Sequence, residues 1–208
     1  INRSPAKVQA ALLEAMAEKQ VTIGDKSYKL NSPFVVLATQ NPIEQEGTYN
    51  LPEAQLDRFM MKVHVGYPDF EAEKSILGLK MASLSELKPI LNTESLGQLK
   101  HVVDEIYVDE KIKDLIIKIV HATRPGNKFF PKKYDGAVMV GASPRAAIWL
   151  YKISKYKAFL EGKDFVSPEN VLSIAKSVLG HRVLLSYEAI IDKIDVRDVV
   201  YDIARENL

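Results

Sequence analysis

The chain has 208 residues, 47% of them apolar and 26% charged, with 28 Lys plus Arg set against 27 Asp plus Glu. That balance belongs to soluble globular proteins; it excludes disordered, collagen-like and low-complexity classes and offers no bulk attraction toward nucleic acid or anionic membranes. Cysteine is absent, which removes disulfides, thiolate nucleophiles and sulfur-held metals, and no apolar run approaches the roughly 20 residues that span a bilayer.

In chain order, Ser4 and Pro5 mark a helix start, and Val8, Ala11, Leu12, Ala15 and Met16 follow at steps of three and four. From Val21 to Leu30 the pattern changes to a period of two around Gly24-Asp25, which predicts a β-hairpin. Pro33 to Thr39 is a continuous apolar run, the pattern of a strand buried on both faces of a parallel sheet. A turn-rich stretch leads to Pro52, which opens a short helix through Phe59. Met61, Val63 and Val65, alternating with Lys62 and His64, predict a second strand ending at Gly66-Tyr67-Pro68.

A domain boundary falls at Asp69, and the chain beyond it reads as helical. Helices are expected from Asp109 to Thr123, from Ser143-Pro144 to about Leu160, after Ser167-Pro168, and from Arg197 to Arg205. Arg124 to Gly141 reads as a loop with short β pieces. The fold class is therefore α/β followed by all-α, divided into residues 1–68 and 69–208. The first part is too short to cover both faces of a parallel sheet unaided. With an opening Ile1 in place of Met, the expectation is a fragment whose domain front is missing.

The four histidines, His64, His101, His121 and His181, are dispersed and support neither a nucleophilic triad nor a metal site. There is no Gly-x-x-x-x-Gly-Lys-Ser/Thr loop and no Gly-x-Gly-x-x-Gly. Three residues stand out. Asn41 lies just past the expected buried strand, at the sheet edge where α/β folds bind ligands; its ordinary reading is a turn-forming Asn before Pro42. Arg58, at the end of the short helix, could reach a phosphate on a neighbouring subunit through a bidentate fork, or pair with Asp57 or another carboxylate of its own chain. Arg145 sits in the first turn of a helix, where the dipole disfavours a cation unless an anion is nearby; the alternative is a plain surface arginine.

These residues lie in longer stretches that resemble the MoxR group of AAA+ ATPases. The stretches run from Asn2-Arg3-Ser4-Pro5 to Met16, from Ala38-Thr39-Gln40-Asn41-Pro42 to Tyr49, and from Leu51-Pro52-Glu53 to Asp57-Arg58-Phe59. Gly141-Ala142-Ser143-Pro144-Arg145-Ala146 and His181-Arg182-Val183 add the signature of the helical lid. The resemblance implies a partial AAA+ parallel-sheet core, without its phosphate-loop half, followed by the lid. It implies sensor 1 at Asn41, an arginine finger acting in trans at Arg58, and sensor 2 at Arg145, which contacts ATP in its own subunit. The hairpin 21–30 matches an insertion that faces the ring centre.

In that family an Asp-Glu pair stands directly before the Ile-Asn-Arg that opens this chain, and the phosphate loop stands further upstream. ATP and Mg²⁺ are thus the implied cofactors, with most of their ligands outside these residues, and the chain by itself is expected to be inactive. The resemblance further implies a cytoplasmic homo-oligomer, a hexameric ring, a partner with a von Willebrand factor A domain, and a protein client that is remodelled or receives a metal centre. The alternatives are a nucleic-acid-remodelling AAA+ ATPase, against which the near-zero net charge argues, and a non-catalytic interaction module.

Overall fold

The computed structural model describes residues 5–40, 51–78 and 88–208. The first helix, α1 (Ala6–Glu18), runs into an antiparallel hairpin of β1 (Gln20–Ile23) and β2 (Lys26–Lys29), with Ile23 opposite Lys26. Gly24 opens the two-residue turn at φ 60°, a conformation that a residue without Cβ adopts at no steric cost. The expected capping residue Ser4 lies outside the described residues.

The buried side of α1 overlaps the predicted one only in part, at Ala15 and the half-buried Leu12 and Met16. Gln9, Leu13 and Ala15 are buried while Val8 is 55% exposed. The neighbours chose the face: the hairpin folds back on α1, where Thr22 Oγ1 donates to Glu14 Oε1 at 2.6 Å.

Two strand expectations are corrected. Residues 33–39 and 61–65 form neither strand nor helix, and Leu37 and Val65 are 94% and 93% exposed. A parallel strand is held by ladder bonds to its neighbours and by helices over both faces. Among the described residues no strand lies beside either segment, and the strands form two antiparallel pairs only. The order of a mixed α/β segment followed by helices holds.

The short α2 (Glu53–Leu56) follows Pro52. Asp69, at the expected boundary, caps α3 (Phe70–Leu77) by accepting from the Ala72 N–H at 2.8 Å. Then come α4 (Thr93–Glu105), α5 (Glu110–Ala122), β3 (Val138–Val140), α6 (Pro144–Leu160), α7 (Pro168–Leu179), β4 (Leu184–Leu185), α8 (Tyr187–Ile191) and α9 (Val196–Glu206). Asp109, Ser143 and Asp195 each cap the helix that follows with a side-chain oxygen, satisfying amides that have no partner within the helix. Asn170 does the reverse at α7: its Oδ1 accepts the Ser167 N–H at 2.9 Å.

The core is helical. α7 packs against α6 on one side and α9 on the other, with α5 against α6. Leu150, Val171, Val178, Leu179, Val200 and Ile203 are fully buried there. β3 and β4 pair antiparallel at the edge of this core. The backbone after α2 is tied to it as well: the Lys62 N–H donates to the Ser177 carbonyl at 2.8 Å.

Candidate functional site

The site forms where the segment after α2 meets the start of α6 and the end of α7. Its placement begins with Gly141. A Cβ there would lie 2.5 Å from the Thr123 carbonyl oxygen and 2.7 Å from Arg124 Cα, so only glycine lets the backbone pass this close to the end of α5. The buried Thr123 hydroxyl then accepts the Ala142 N–H at 2.9 Å. Ser143 and Pro144 start α6 immediately afterwards, and Arg145 projects from its first turn.

Asp57 occupies the centre. Ser143 Oγ lies 2.9 and 3.0 Å from its two carboxylate oxygens. Arg145 Nη1 donates to Oδ2 at 3.0 Å, and Arg182 Nε donates to Oδ1 at 2.9 Å. All three donors come from the helical part of the chain. Arg182 does more than pair: Nη2 donates to the carbonyls of Asp57 and Phe59, and Nη1 to those of Met60 and Val178. A fork of five donors can hold a carboxylate and several carbonyls at once, which a lysine cannot. The Arg182 side chain is 1% exposed and that of Arg145 46%, so one is built in and the other stands at the surface. Burial draws the Arg182 pKa below the ordinary arginine value, and the charge of Asp57 opposes that shift. A shallow groove of about 260 Å³ opens beside them, lined by Glu53, Asp57, Gly141, Ser143, His181 and Arg182 among others.

The anion that the helix start at Arg145 called for is thus present within the chain: it is Asp57. Arg58 does not take that partner. It lies in the turn just past α2, its own N–H on the Gln55 carbonyl, and Nη1 donates to the Leu13 carbonyl of α1 at 3.3 Å. The structure therefore sets Arg145 on the Asp57 carboxylate and Arg58 on the Leu13 carbonyl instead. Asn41 lies outside the described residues.

His181 completes the packing. Its Nε2 lies 2.7 Å from Arg182 Nη1 and 3.2 Å from the Phe59 carbonyl oxygen. Burial first, and the Arg182 charge second, hold the His181 pKa down at about 4. A histidine whose folded pKa lies below its unfolded value near 6.5 contributes stability that is complete above pH 6.5. That contribution is lost as the pH falls toward 4, because protonation favours the unfolded chain. Unfolding free energy is expected to drop by about 2 kcal/mol between pH 7 and pH 5. Urea midpoints across that range should lose most of this slope in His181→Gln. Glu161 and Asp195, each held at about 2 by neighbouring cations, give up their contributions only at lower pH, whereas His64, lowered by burial and by Arg197, adds slope of the same sign that His181→Gln leaves in place.

Sequence reasoning missed Asp57, Ser143 and Arg182 as a unit. Their only signal was membership in the stretches Leu56-Asp57-Arg58-Phe59, Ser143-Pro144-Arg145 and His181-Arg182-Val183. Several lysines have partners within the chain: Lys133 pairs with Asp202 and Glu206, Lys157 with Glu161, and the buried Lys155 donates to the Asp104 carbonyl. Among the described residues no group of three or more His, Asp or Glu could hold a metal ion, and no helix is long and apolar enough to cross a membrane.

Comparison with known proteins places this arrangement. Residues 1–61 match the ATPase family associated with various cellular activities (AAA), and residues 135–203 match the AAA lid domain. The chain is 41% identical over 96% of its length to the chaperone MoxR1 of Mycobacterium tuberculosis, of which it covers 53%. It is 29% identical over 89% of its length to the protein MoxR of Methylorubrum extorquens, of which it covers 57%. A crystal structure of a candidate ATPase from Cytophaga hutchinsonii superposes with a TM-score of 0.91 at 44% identity, covering 98% of this chain and 62% of that one. The chain thus carries part of the sequence and fold of the AAA family of ATPases, together with a lid domain. Within that class it belongs to the MoxR group. It spans about half the length of the curated MoxR relatives that it matches.

Proposed function

We propose that this chain supplies the nucleotide-sensing and subunit-bridging parts of a MoxR-type ATPase that uses ATP hydrolysis to remodel client proteins. The observation that carries the reading is the bond between Asp57 and Arg145, which joins the residue directly before Arg58 to the first turn of α6. In this reading residues 1–68 belong to the α/β core and residues 69–208 form the lid. Arg58 acts on nucleotide held by the adjacent subunit, Arg145 on nucleotide held by its own, and Asn41 orients water at the same centre.

The chemistry of Arg145 fits a phosphate group: a half-exposed guanidinium with a bidentate fork, on the first turn of α6, beside an open groove. ATP with Mg²⁺ supplies the phosphoryl group and neutralises part of its charge. The chain's own residues add positive charge from two directions, which stabilises the transferring phosphoryl group. In this reading most of the Mg²⁺ ligands lie upstream of these residues. The subunits assemble as a hexameric ring, with the hairpin 21–30 facing its centre and a von Willebrand factor A protein as partner. The chaperone name of the mycobacterial relative supports a protein client, to be remodelled or fitted with a metal centre in the cytoplasm.

In the full-length ATPase, Arg145→Ala is expected to weaken binding of a non-hydrolysable ATP analogue about tenfold, the loss of one charge-assisted contact of about 1.5 kcal/mol. Titration calorimetry reads this directly. An unchanged affinity overturns the assignment of Arg145.

A further inference from the structure

Asp57 has two arginine partners of unlike character. Arg182 is enclosed and holds Asp57 together with the backbone carbonyls of Asp57, Phe59 and Met60. Arg145 makes one contact of 3.0 Å from a side chain that is nearly half exposed. The first partner cannot leave without opening the core around Val178; the second can swing away at small cost. The turn that Asp57 anchors is narrow. The N–H groups of Asp57, Arg58 and Phe59 bond back to the carbonyls of Glu53, Gln55 and Leu56, so any force on the Asp57 carboxylate reaches the backbone of Arg58 one residue later.

We infer that Asp57 and bound nucleotide compete for Arg145, which makes Asp57 a positioning residue that reports the occupancy of one subunit's site to the arginine it offers to the next. The inference rests on the proposed roles of Arg145 and Arg58. A guanidinium held bidentately by a phosphate cannot keep the same proton on Asp57. Nucleotide arrival therefore removes one of the two cationic restraints on the turn, while Arg182 and Ser143 keep Asp57 in place. Arg58, held among the described residues by one side-chain bond of 3.3 Å to the Leu13 carbonyl, gains freedom to reach outward.

The test is a double-mutant cycle in the full-length ATPase, read by the affinity of a non-hydrolysable ATP analogue and by kcat. Asp57→Asn keeps an acceptor for Arg182 and Ser143 but removes the charge that competes for Arg145. It is expected to tighten analogue binding about three- to tenfold while lowering kcat. In the Arg145→Ala background it should leave affinity unchanged. A merely structural aspartate would give weaker binding in both backgrounds, and unchanged or weaker binding in folded Asp57→Asn overturns the inference.

Hydrogen exchange on the unmodified protein gives a second reading that needs no change at Asp57. Analogue binding should speed exchange at the amides of residues 57–59 severalfold, and at saturating analogue should not do so in Arg145→Ala. Equal exchange with and without analogue overturns the coupling even where Arg145→Ala weakens binding. If Arg145→Ala alone leaves affinity unaltered, the proposed role of Arg145 fails, and the inference with it.

Discussion

Arg58→Ala in the full-length ATPase is expected to lower kcat by about 10³-fold or more, the range seen when an arginine finger is withdrawn from a phosphoryl-transfer site. Nucleotide affinity should change less than about threefold, since the residue serves a site that other groups fill. Stability should hardly move, because the side chain is only half buried and its hydrogen bond to the Leu13 carbonyl is long at 3.3 Å. Mixing experiments make the trans assignment sharp. Rings formed from Arg58→Ala and Arg145→Ala subunits contain some interfaces with an intact Arg58 facing an intact Arg145. At ATP concentrations that leave the Arg145→Ala sites largely empty, such mixtures should regain turnover that neither variant shows alone. Absence of recovery in rings shown to be mixed would place Arg58 in its own subunit's site.

Arg182→Ala carries the largest expected loss of stability, about 3 kcal/mol or more, because it removes the buried member of an ion pair and strips donors from several enclosed carbonyls at once. Asp57 would keep Arg145 and Ser143, but the carbonyls of Phe59 and Met60 would lose the Arg182 donors that reach them. For a chain of this size the melting temperature should fall by roughly 10 °C. Arg182→Lys should recover less than half of the loss, since one ammonium cannot reach carboxylate and carbonyls on both sides of the turn. Hydrogen exchange should localise the damage to residues 57–62, with the packed face between α7 and α9 retaining its protection. A uniform loss across the helices would mean that Arg182 acts through general packing and not as the tie between the two parts of the chain.

The helical part was legible because its signals are local. Asp109, Ser143 and Ser167 stand directly before α5, α6 and α7, two of them followed by proline, and periodicity at three and four residues filled the rest. The hairpin was equally plain, since Gly24-Asp25 between alternating residues admits little else. The run 33–39 misled for a physical reason. Apolar composition states that a segment is suited to burial, but pairing requires strands on either side, and none is adjacent among the described residues. On α1 periodicity found the helix and the buried Ala15 but missed the buried Gln9 and Leu13, the latter where Arg58 reaches its carbonyl.

The sequence by itself determined the family of the protein, the hairpin and the helices from α5 onward, because these reside in contiguous stretches that local chemistry constrains. Only the tertiary structure decided how the charged residues of the site are joined. Asp57 and Arg182 are 125 positions apart, and Asp57 and Arg145 88. No local rule pairs one carboxylate with two of the chain's arginines. That choice was made when the helical core enclosed Arg182, left Arg145 at the surface and set the turn before Arg58 between them.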